Sequence, residues 1–523
     1  MNYFRYGLWG LALLFGLWWA MDRGDVDGNR MKQKEPEVRP ISKAKREGAG
    51  GLEAGKDLRK GGSGKAKESF DGSMETGSGD EIPGQKTLRF KNRAAYERFL
   101  KGAPAGAVLG RIDGLQAVKV KDGEWLKSMA NTPEMEVGKN YYVTVPELPA
   151  EVKTMGDAFY RGVGRDAVKL IGGEGVTSDW GKGVTVALLD TTLNPTSSDL
   201  GSEEGHGTAM ASLITGMGAA RGAAPGATLQ EYAVLDGTGR GDSFSLAKAI
   251  YAAVDQGVKI INMSLGSTGD SSVVRDAVAY ALAKHVALVA AAGNEAVNRV
   301  AYPAAYDGVV AVGSVDGDRV NAQHLYFSNR GAAVDVVAPG FAVVANWPGG
   351  KMVEVSGTSA STALVSGAIA AILSKERNLT GKQAAELLIR YANDAGVAGV
   401  DDETGRGVIN LQRVFERNQR GITDLAIAGV KLDPAGRVTV AVQNRGTETV
   451  NSPTIEITVN GATRKFYPGS LAPNQSMAES VQFDATRARQ EGSVYVGANV
   501  EVPRGSDTRN ANDLWTGGFT ISK

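Results

Sequence analysis

From about residue 164 onward, short apolar runs alternate with amphipathic stretches, and this alternation narrows the fold more than any other feature. Residues 184–189 (VTVALL), 227–235, 258–263 (VKIINM), 286–292 (VALVAAA) and 309–312 have the composition of strands buried on both faces. Between them, residues 208–215, 245–256 and 272–284 repeat apolar side chains at helical spacing. Strand–helix alternation of this kind predicts an α/β fold, a parallel sheet covered by helices on both faces. A long helix is expected to start near Ser359 and run through 363–375.

The 523 residues exceed one ordinary domain, and the flanking segments differ in pattern. At the N-terminus, Arg5 precedes 15 uncharged residues (7–21, GLWGLALLFGLWWAM), short for a membrane span and suited to a signal sequence. Trp18-Trp19-Ala20 is a poor cleavage site, so residues 1–23 are expected to be a signal peptide or an N-terminal membrane anchor, and the protein exported: secreted, periplasmic or held in the cell envelope. Residues 24–85, rich in charge, Gly and Ser, form an expected disordered linker. Residues 86–147 show a β-α-β-β pattern, with strands at 87–90, 107–112, 116–120 and 141–145 and a helix at 92–101. This predicts a small α+β module, joined through 148–163 to the α/β unit at 164–418. Residues 421–523 carry only strand signals (424–430, 437–443, 454–459, 493–500, 517–521), with an Asn460-Gly461 turn, and predict an immunoglobulin-like β-sandwich.

Composition removes several function classes. Lys plus Arg equals Asp plus Glu, 58 against 58, so no nucleic-acid partner is expected. The absence of cysteine removes disulfides, thiolate nucleophiles and cysteine-ligated metals. His206, His285 and His324 are the only histidines, so a His-dependent mechanism has three candidates for its base.

Asp190 ends the apolar run VTVALLD, at the C-terminal end of an expected parallel strand, where α/β sheets place their sites. His206 lies in GHGTAMA, between two glycines that let neighbouring backbone approach the imidazole. Ser359 lies in SGTSAST, directly before an apolar helix whose N-terminal amides are ready donors for an oxyanion. The chain order Asp…His…Ser excludes the α/β-hydrolase order Ser…Asp…His and the chymotrypsin order His…Asp…Ser. A lipase or esterase also needs a G-x-S-x-G elbow, and Gly357-Thr-Ser-Ala-Ser361 does not supply one.

Residues 164–418 resemble the subtilisin-like serine proteases, the subtilase family. VTVALLDT, GHGTAMASLITG and SGTSASTALVSG match its aspartate, histidine and serine motifs. INMSLGS, VAAAGNE and FSNRG…VDVVAPG match its intervening segments, and GRGVINLQRV the end of its catalytic domain. The resemblance implies a serine endopeptidase working through an acyl-enzyme, with Ser359 as nucleophile, His206 as general base and acid, and Asp190 orienting the imidazole. Asn294 would be the oxyanion donor together with the Ser359 amide. Gly239, Arg240 and Gly241 match one substrate-pairing edge, and Ser264, Leu265 and Gly266 the other. Ala291, Ala292 and Gly293 match the second wall of the specificity pocket, and Ala301 its base. His285 is read as structural and His324 as a surface residue.

The resemblance has departures. Thr192 replaces a usual glycine, Met210 a second histidine, Ala360 a methionine and Ala363 a proline. Only 16 positions separate Asp190 from His206, so calcium-bearing segments are shortened and Asp199 alone remains; no cofactor is expected to be required, and calcium binding is disfavoured. The N-terminal module resembles a subtilase propeptide. GRVTVAVQNRGTETV with DTRNANDLW resembles the bacterial cell-adhesion-related sandwich domain. The implied partners are polypeptide substrates, the protein's own propeptide and a cell-surface ligand of the sandwich. Arg240-Gly-Asp-Ser243 also spells an attachment sequence, and the competing function is an adhesion or binding protein with a decayed protease domain.

Overall fold

The computed structural model describes residues 80–129, 133–149, 160–193, 195, 203–216, 220–433, 435–503 and 507–520. The expected signal segment, nearly all of the linker, Asp199 and most of the connecting segment lie outside these residues.

The N-terminal module is an antiparallel sheet of β1 (Glu81–Phe90), β2 (Val108–Ile112), β3 (Ala117–Lys121) and β4 (Met135–Thr144), in the order β2-β3-β1-β4. The helix Arg93–Gly102 starts where the Asn92 side chain accepts from the Ala95 amide. It lays Tyr96 and Phe99 against Leu88, Val118 and Val120. β1 and β4 both start earlier than their patterns indicate. Residues 81–86 and 135–140 lack clean alternation, and pairing between the two strands, from Lys86↔Lys139 to Phe90↔Met135, decides their conformation instead. A short helix, Glu124–Met129, went unanticipated.

The α/β unit is built on β5 (Thr185–Asp190), β6 (Thr228–Ala233), β8 (Ile260–Met263), β9 (Ala287–Ala291), β10 (Val310–Val315) and β11 (Val336–Pro339), with the short β7 (Arg240–Asp242) lying outside the sheet. The six strands are parallel, in the order β11-β10-β9-β8-β5-β6. After β5 the chain adds β6 on one side, then returns to add β8 on the other. That reversal opens a crevice at the strands' C-terminal ends. Separate apolar clusters fill the two faces of the sheet. One is centred on the helix Thr358–Lys375, buried from Thr358 through Leu373. Its Ala, Gly, Ser and β-branched residues allow close packing on every side, against the helix His206–Thr215 and the strands β8–β11.

In the C-terminal unit, Leu425–Leu432, Arg437–Asn444 and Ser476–Gln482 form one antiparallel sheet. Ala462–Phe466, Thr454–Val459, Ser493–Glu501 and Leu514–Thr520 form another, and the two share one core that includes Val440, Ile457, Val494 and Trp515. The expectation of strands alone needs one correction. The helix Ala485–Glu491 is capped by Asp484, which accepts from the Thr486 and Arg487 amides, and closed by left-handed Gly492 (φ 74°).

The sandwich is docked on the α/β unit through a buried arginine. Arg413 donates to the Ala392 carbonyl (2.6 Å), the Tyr391 carbonyl (3.2 Å) and, across the junction, the Arg445 carbonyl (3.1 Å) and Asn474. Burial pulls its guanidinium down to about 9, the cost of holding a cation there. Arg413→Met should remove this donor from all four acceptors, with only the Ala392 carbonyl keeping a second one (Gln443 Nε2, 3.4 Å), and lower stability by on the order of 3 kcal/mol. The readout is a fall in urea midpoint at unchanged m-value; an unchanged midpoint would show that the guanidinium holds nothing together.

Candidate active site

Asp190 is the last residue of β5 and fully buried. Its Oδ1 accepts from the Thr191 amide at 2.7 Å and lies 2.7 Å from Nδ1 of His206. His206 is the first residue of its helix, and both flanking glycines are required by contact. A Cβ on Gly207 would lie 2.3 Å from the Thr191 carbonyl oxygen, and one on Gly205 would enter the Trp347 ring. Thr191, standing in the altered turn, also accepts from the Gly207 amide through its hydroxyl at 2.9 Å. The strand end and the helix start are thereby fastened together.

Ser359 is the second residue of the long helix. The Asn294 side-chain oxygen accepts from the Thr358 amide (3.0 Å) and hydroxyl (2.9 Å), which leaves the Asn294 Nδ2 hydrogens directed into the crevice. Thr358 thus fixes the rotamer of Asn294, a role that the motif contained but the sequence reading did not assign. The Ser359 hydroxyl donates to the Ser264 carbonyl at 3.2 Å, and the Ser264 hydroxyl donates to the Ser359 carbonyl at 3.0 Å. Behind them, Asn262 Nδ2 donates to the Ser264 hydroxyl (3.1 Å) and Ser366 donates to Asn262 Oδ1 (2.8 Å). His206 Nε2 and Asp190 Oδ2 are buried without a hydrogen-bond partner among the described residues.

A peptide strand already lies in the crevice, and it belongs to this chain. β4 pairs with β7 (Val143↔Gly241, Thr144↔Arg240), which extends the N-terminal sheet onto the α/β unit. Thr144 exchanges two 2.9 Å hydrogen bonds with Gly266, and the Val145 amide donates to the Gly239 carbonyl at 3.0 Å. The Pro146 carbonyl then accepts from Asn294 Nδ2 at 2.9 Å. Two of the expected edges, Gly239–Gly241 and Ser264–Gly266, therefore flank one extended segment. Ala291, Ala292 and Gly293 do not pair with it. Asn329 Nδ2 donates to the Ala292 carbonyl (3.1 Å), the Asn329 amide donates to the Gly293 carbonyl (2.9 Å), and the Gly293 amide donates to the Thr358 hydroxyl (3.3 Å). Ala301 closes the space beneath Gly266, since its methyl would lie 3.1 Å from a Cβ placed there.

Arg240 stacks its guanidinium on Tyr142 (5.4 Å). The Asp242 carboxylate caps the helix Ser243–Asp255 and pairs with Lys119 at 2.9 Å. Arg240-Gly241-Asp242 is consequently a paired strand that ends in a helix cap, with Arg240 itself exposed.

Burial alone would push the His206 imidazole down; the Asp190 charge and hydrogen bond outweigh it, and the net result lies above the ordinary 6.5. His285 is exposed at the end of its helix, with φ 57°. His324, expected at the surface, is only half-exposed. Its Nε2 is buried and unpartnered among the described residues, and burial lowers it to about 4 despite nearby Glu403, which pairs with Lys431 of the sandwich at 2.8 Å. Among the described residues, no group of three or more carboxylate or imidazole side chains is placed to hold a metal ion, and no helix is long and apolar enough to cross a membrane.

Residues 196–407 match the Peptidase_S8 family, described as the subtilase family. That span holds His206, Asn294 and Ser359, and Asp190 lies just before it. The chain is 35% identical over 215 residues to Subtilisin DY of Bacillus licheniformis, covering 40% of this chain and 76% of that protein. It is 32% identical over 283 residues to an alkaline protease of Alkalihalobacillus alcalophilus, covering 51% of this chain and 72% of that one. Among solved structures, the protease domain of PatA aligns at 29% identity over 44% of this chain and 94% of its own, with a TM-score of 0.41.

The glycine contacts around His206 yield a stability test. Gly207→Ala should cost about 1–3 kcal/mol, because its methyl meets backbone that cannot yield. Gly175→Ala, where nothing lies within 4 Å of the new methyl, should change little. Thermal melts of both variants decide; equal melting temperatures would mean that the strand–helix junction is not tight.

Proposed function

The chain belongs to the subtilase family and is a serine endopeptidase, and from that premise we propose an exported enzyme whose chemistry is carried by Asp190, His206, Ser359 and Asn294. The observation that carries the proposal is the peptide carbonyl of Pro146, held on Asn294 Nδ2 beside Ser359. In the proposed cycle Ser359 Oγ attacks the scissile carbonyl carbon while its proton passes to His206 Nε2. Asn294 Nδ2 and the Ser359 amide receive the developing oxyanion, each such donor being worth about 3–4 kcal/mol. His206 then gives the proton to the leaving amine, and an ester joins Ser359 to the acyl half of the substrate. Water, deprotonated by the same imidazole, hydrolyses that ester. Asp190 holds the Nδ1–H tautomer and stabilises the imidazolium.

We further propose that the module at residues 86–147 acts as a propeptide that the enzyme itself cuts off near the module's C-terminal end, with Pro146–Glu147 as the bond presented, so that Glu147 stays with the protease. Strand addition along Gly239–Gly241 and Ser264–Gly266 supports polypeptide substrates in extended form. The Ala301 methyl favours small or medium apolar side chains in the primary pocket, by about 1–3 kcal/mol over large aromatic ones. Export is supported by the uncharged segment at residues 7–21. The sandwich at 421–523 is proposed to be an accessory domain that binds a ligand at the cell surface.

Phenylmethylsulfonyl fluoride should abolish hydrolysis of casein, and thiol reagents should not. His206→Ala or Ser359→Ala should lower kcat by about 10⁴–10⁶, with full-length Ser359→Ala accumulating uncut. Near-normal activity in His206→Ala would remove the assignment. The pH profile offers a separate check. Only neutral His206 can accept the serine proton, and its affinity for protons is raised, so kcat/KM should fall with decreasing pH around a midpoint above 6.5. A midpoint below 6.5 would contradict the Asp190–His206 pairing.

A further inference from the structure

The strand in the crevice ends on a residue that cannot complete its own ladder. Antiparallel pairs alternate between hydrogen-bonded and open positions, so residues two apart belong to the same class. Thr144 and Gly266 exchange both of their bonds. Position 146, two residues on, therefore faces Ser264, two residues back, in another bonded position. An ordinary residue there would donate its amide to the Ser264 carbonyl. Pro146 has no amide hydrogen. The Ser264 carbonyl instead accepts the Ser359 hydroxyl at 3.2 Å, and His206 Nε2 stands unpartnered among the described residues. The electrophile is nonetheless seated, since the Pro146 carbonyl lies on Asn294 Nδ2.

We propose that Pro146 is a built-in brake on self-processing, an inference that rests on the Ser359–His206 mechanism above. By leaving the Ser264 carbonyl free, Pro146 keeps the Ser359 hydroxyl turned away from its base, so the Pro146–Glu147 bond is presented but cut slowly. The chain then persists as a complex with its N-terminal module still joined. A residue with an N–H would compete for the Ser264 carbonyl, weaken its 3.2 Å hold on the Ser359 hydroxyl and favour the turn of that hydroxyl toward His206.

Two measurements test this. In full-length protein, Pro146→Ala should speed the appearance of the Glu147 N-terminus, followed by mass spectrometry, by about tenfold, the worth of one hydrogen bond. The mature enzymes released from wild type and variant should share one kcat on a chromogenic peptide, because residue 146 has left both. The second measurement separates the missing N–H from the ring. Mature enzyme is given Val-Thr-Val-X-Glu peptides in which X is proline, alanine or N-methylalanine. Cleavage after X should be slow for proline and N-methylalanine alike, and about tenfold faster for alanine. Equal processing rates in wild type and Pro146→Ala, or N-methylalanine cut as fast as alanine, would overturn the brake and leave the protease assignment standing. Failure of every chain and peptide to be cut would overturn the proposed mechanism and the brake with it.

Discussion

The helix Thr358–Lys375 is the constraint on which the rest depends. It is buried on every side through Leu373, so it has no solvent face on which to place charge. Its N-terminal amides have no carbonyls within the helix and, at this depth, cannot turn to bulk water. The Asn294 side-chain oxygen meets the first of them, at Thr358, and takes the Thr358 hydroxyl as well. That bond closes the helix end and also orients the Asn294 NH₂ group, the proposed oxyanion donor. The polar layer behind it, from Ser366 through Asn262 to Ser264, settles buried hydroxyls in the same place. Satisfying the helix and building the site are thus one problem with one set of residues.

The second buried polar group is the Asp190 carboxylate. A carboxylate with no exposure is costly unless charge and hydrogen bonds compensate. Two bonds converge on Oδ1, from the Thr191 amide and His206, while the charge raises the imidazole above its ordinary range. Burial and basicity are coupled here. A more exposed aspartate would cost less and would do less to stabilise the imidazolium. The glycine pair around His206 belongs to the same economy of space, because only backbone without a Cβ lets Thr191 and Trp347 come so near.

Much of this was legible in the sequence because it is local. VTVALLD, GHGTAMA and SGTSAST each join an element boundary to a chemical group, so periodicity and residue type point to the same places. The parallel sheet was legible for a related reason: strands buried on both faces leave continuous apolar runs. What escaped was set by distant partners. The first residues of β1 and β4 have no alternation and are strands because each start pairs with the later part of the other, antiparallel strand. The helix Ala485–Glu491 is short and charged, and its signal lies in Asp484 and Gly492 at its ends rather than in an apolar stripe. His324 stands in a polar stretch, yet packing between Glu403 and the sandwich buries its ring nitrogen. The role of Thr358 required knowing that Asn294, 64 positions away, accepts its hydroxyl.

The placement of Val143–Pro146 was least legible of all, and the reason bears on function. Recognition by strand addition is carried by main-chain groups, which every peptide possesses. Val143 and Val145 do bury their side chains in the apolar cluster of the α/β unit, but valines in a strand are too common to mark a segment as an occupant of the crevice. Their advantage over other peptides lies in what is attached to them. β4 continues into a sheet whose far strands are packed against their own helix, and that sheet is pinned to the α/β unit away from the crevice. Lys119 pairs with Asp242, Asn140 accepts from the Ser243 hydroxyl and Phe244 amide, and Arg89 pairs with Asp276 at 2.5 Å. These contacts hold the segment at an effective concentration that no free peptide matches. They do not depend on the Pro146–Glu147 bond, so breaking that bond would leave them in place. An enzyme built this way would carry its first product as its first inhibitor, released only when the sheet β2-β3-β1-β4 separates from β7.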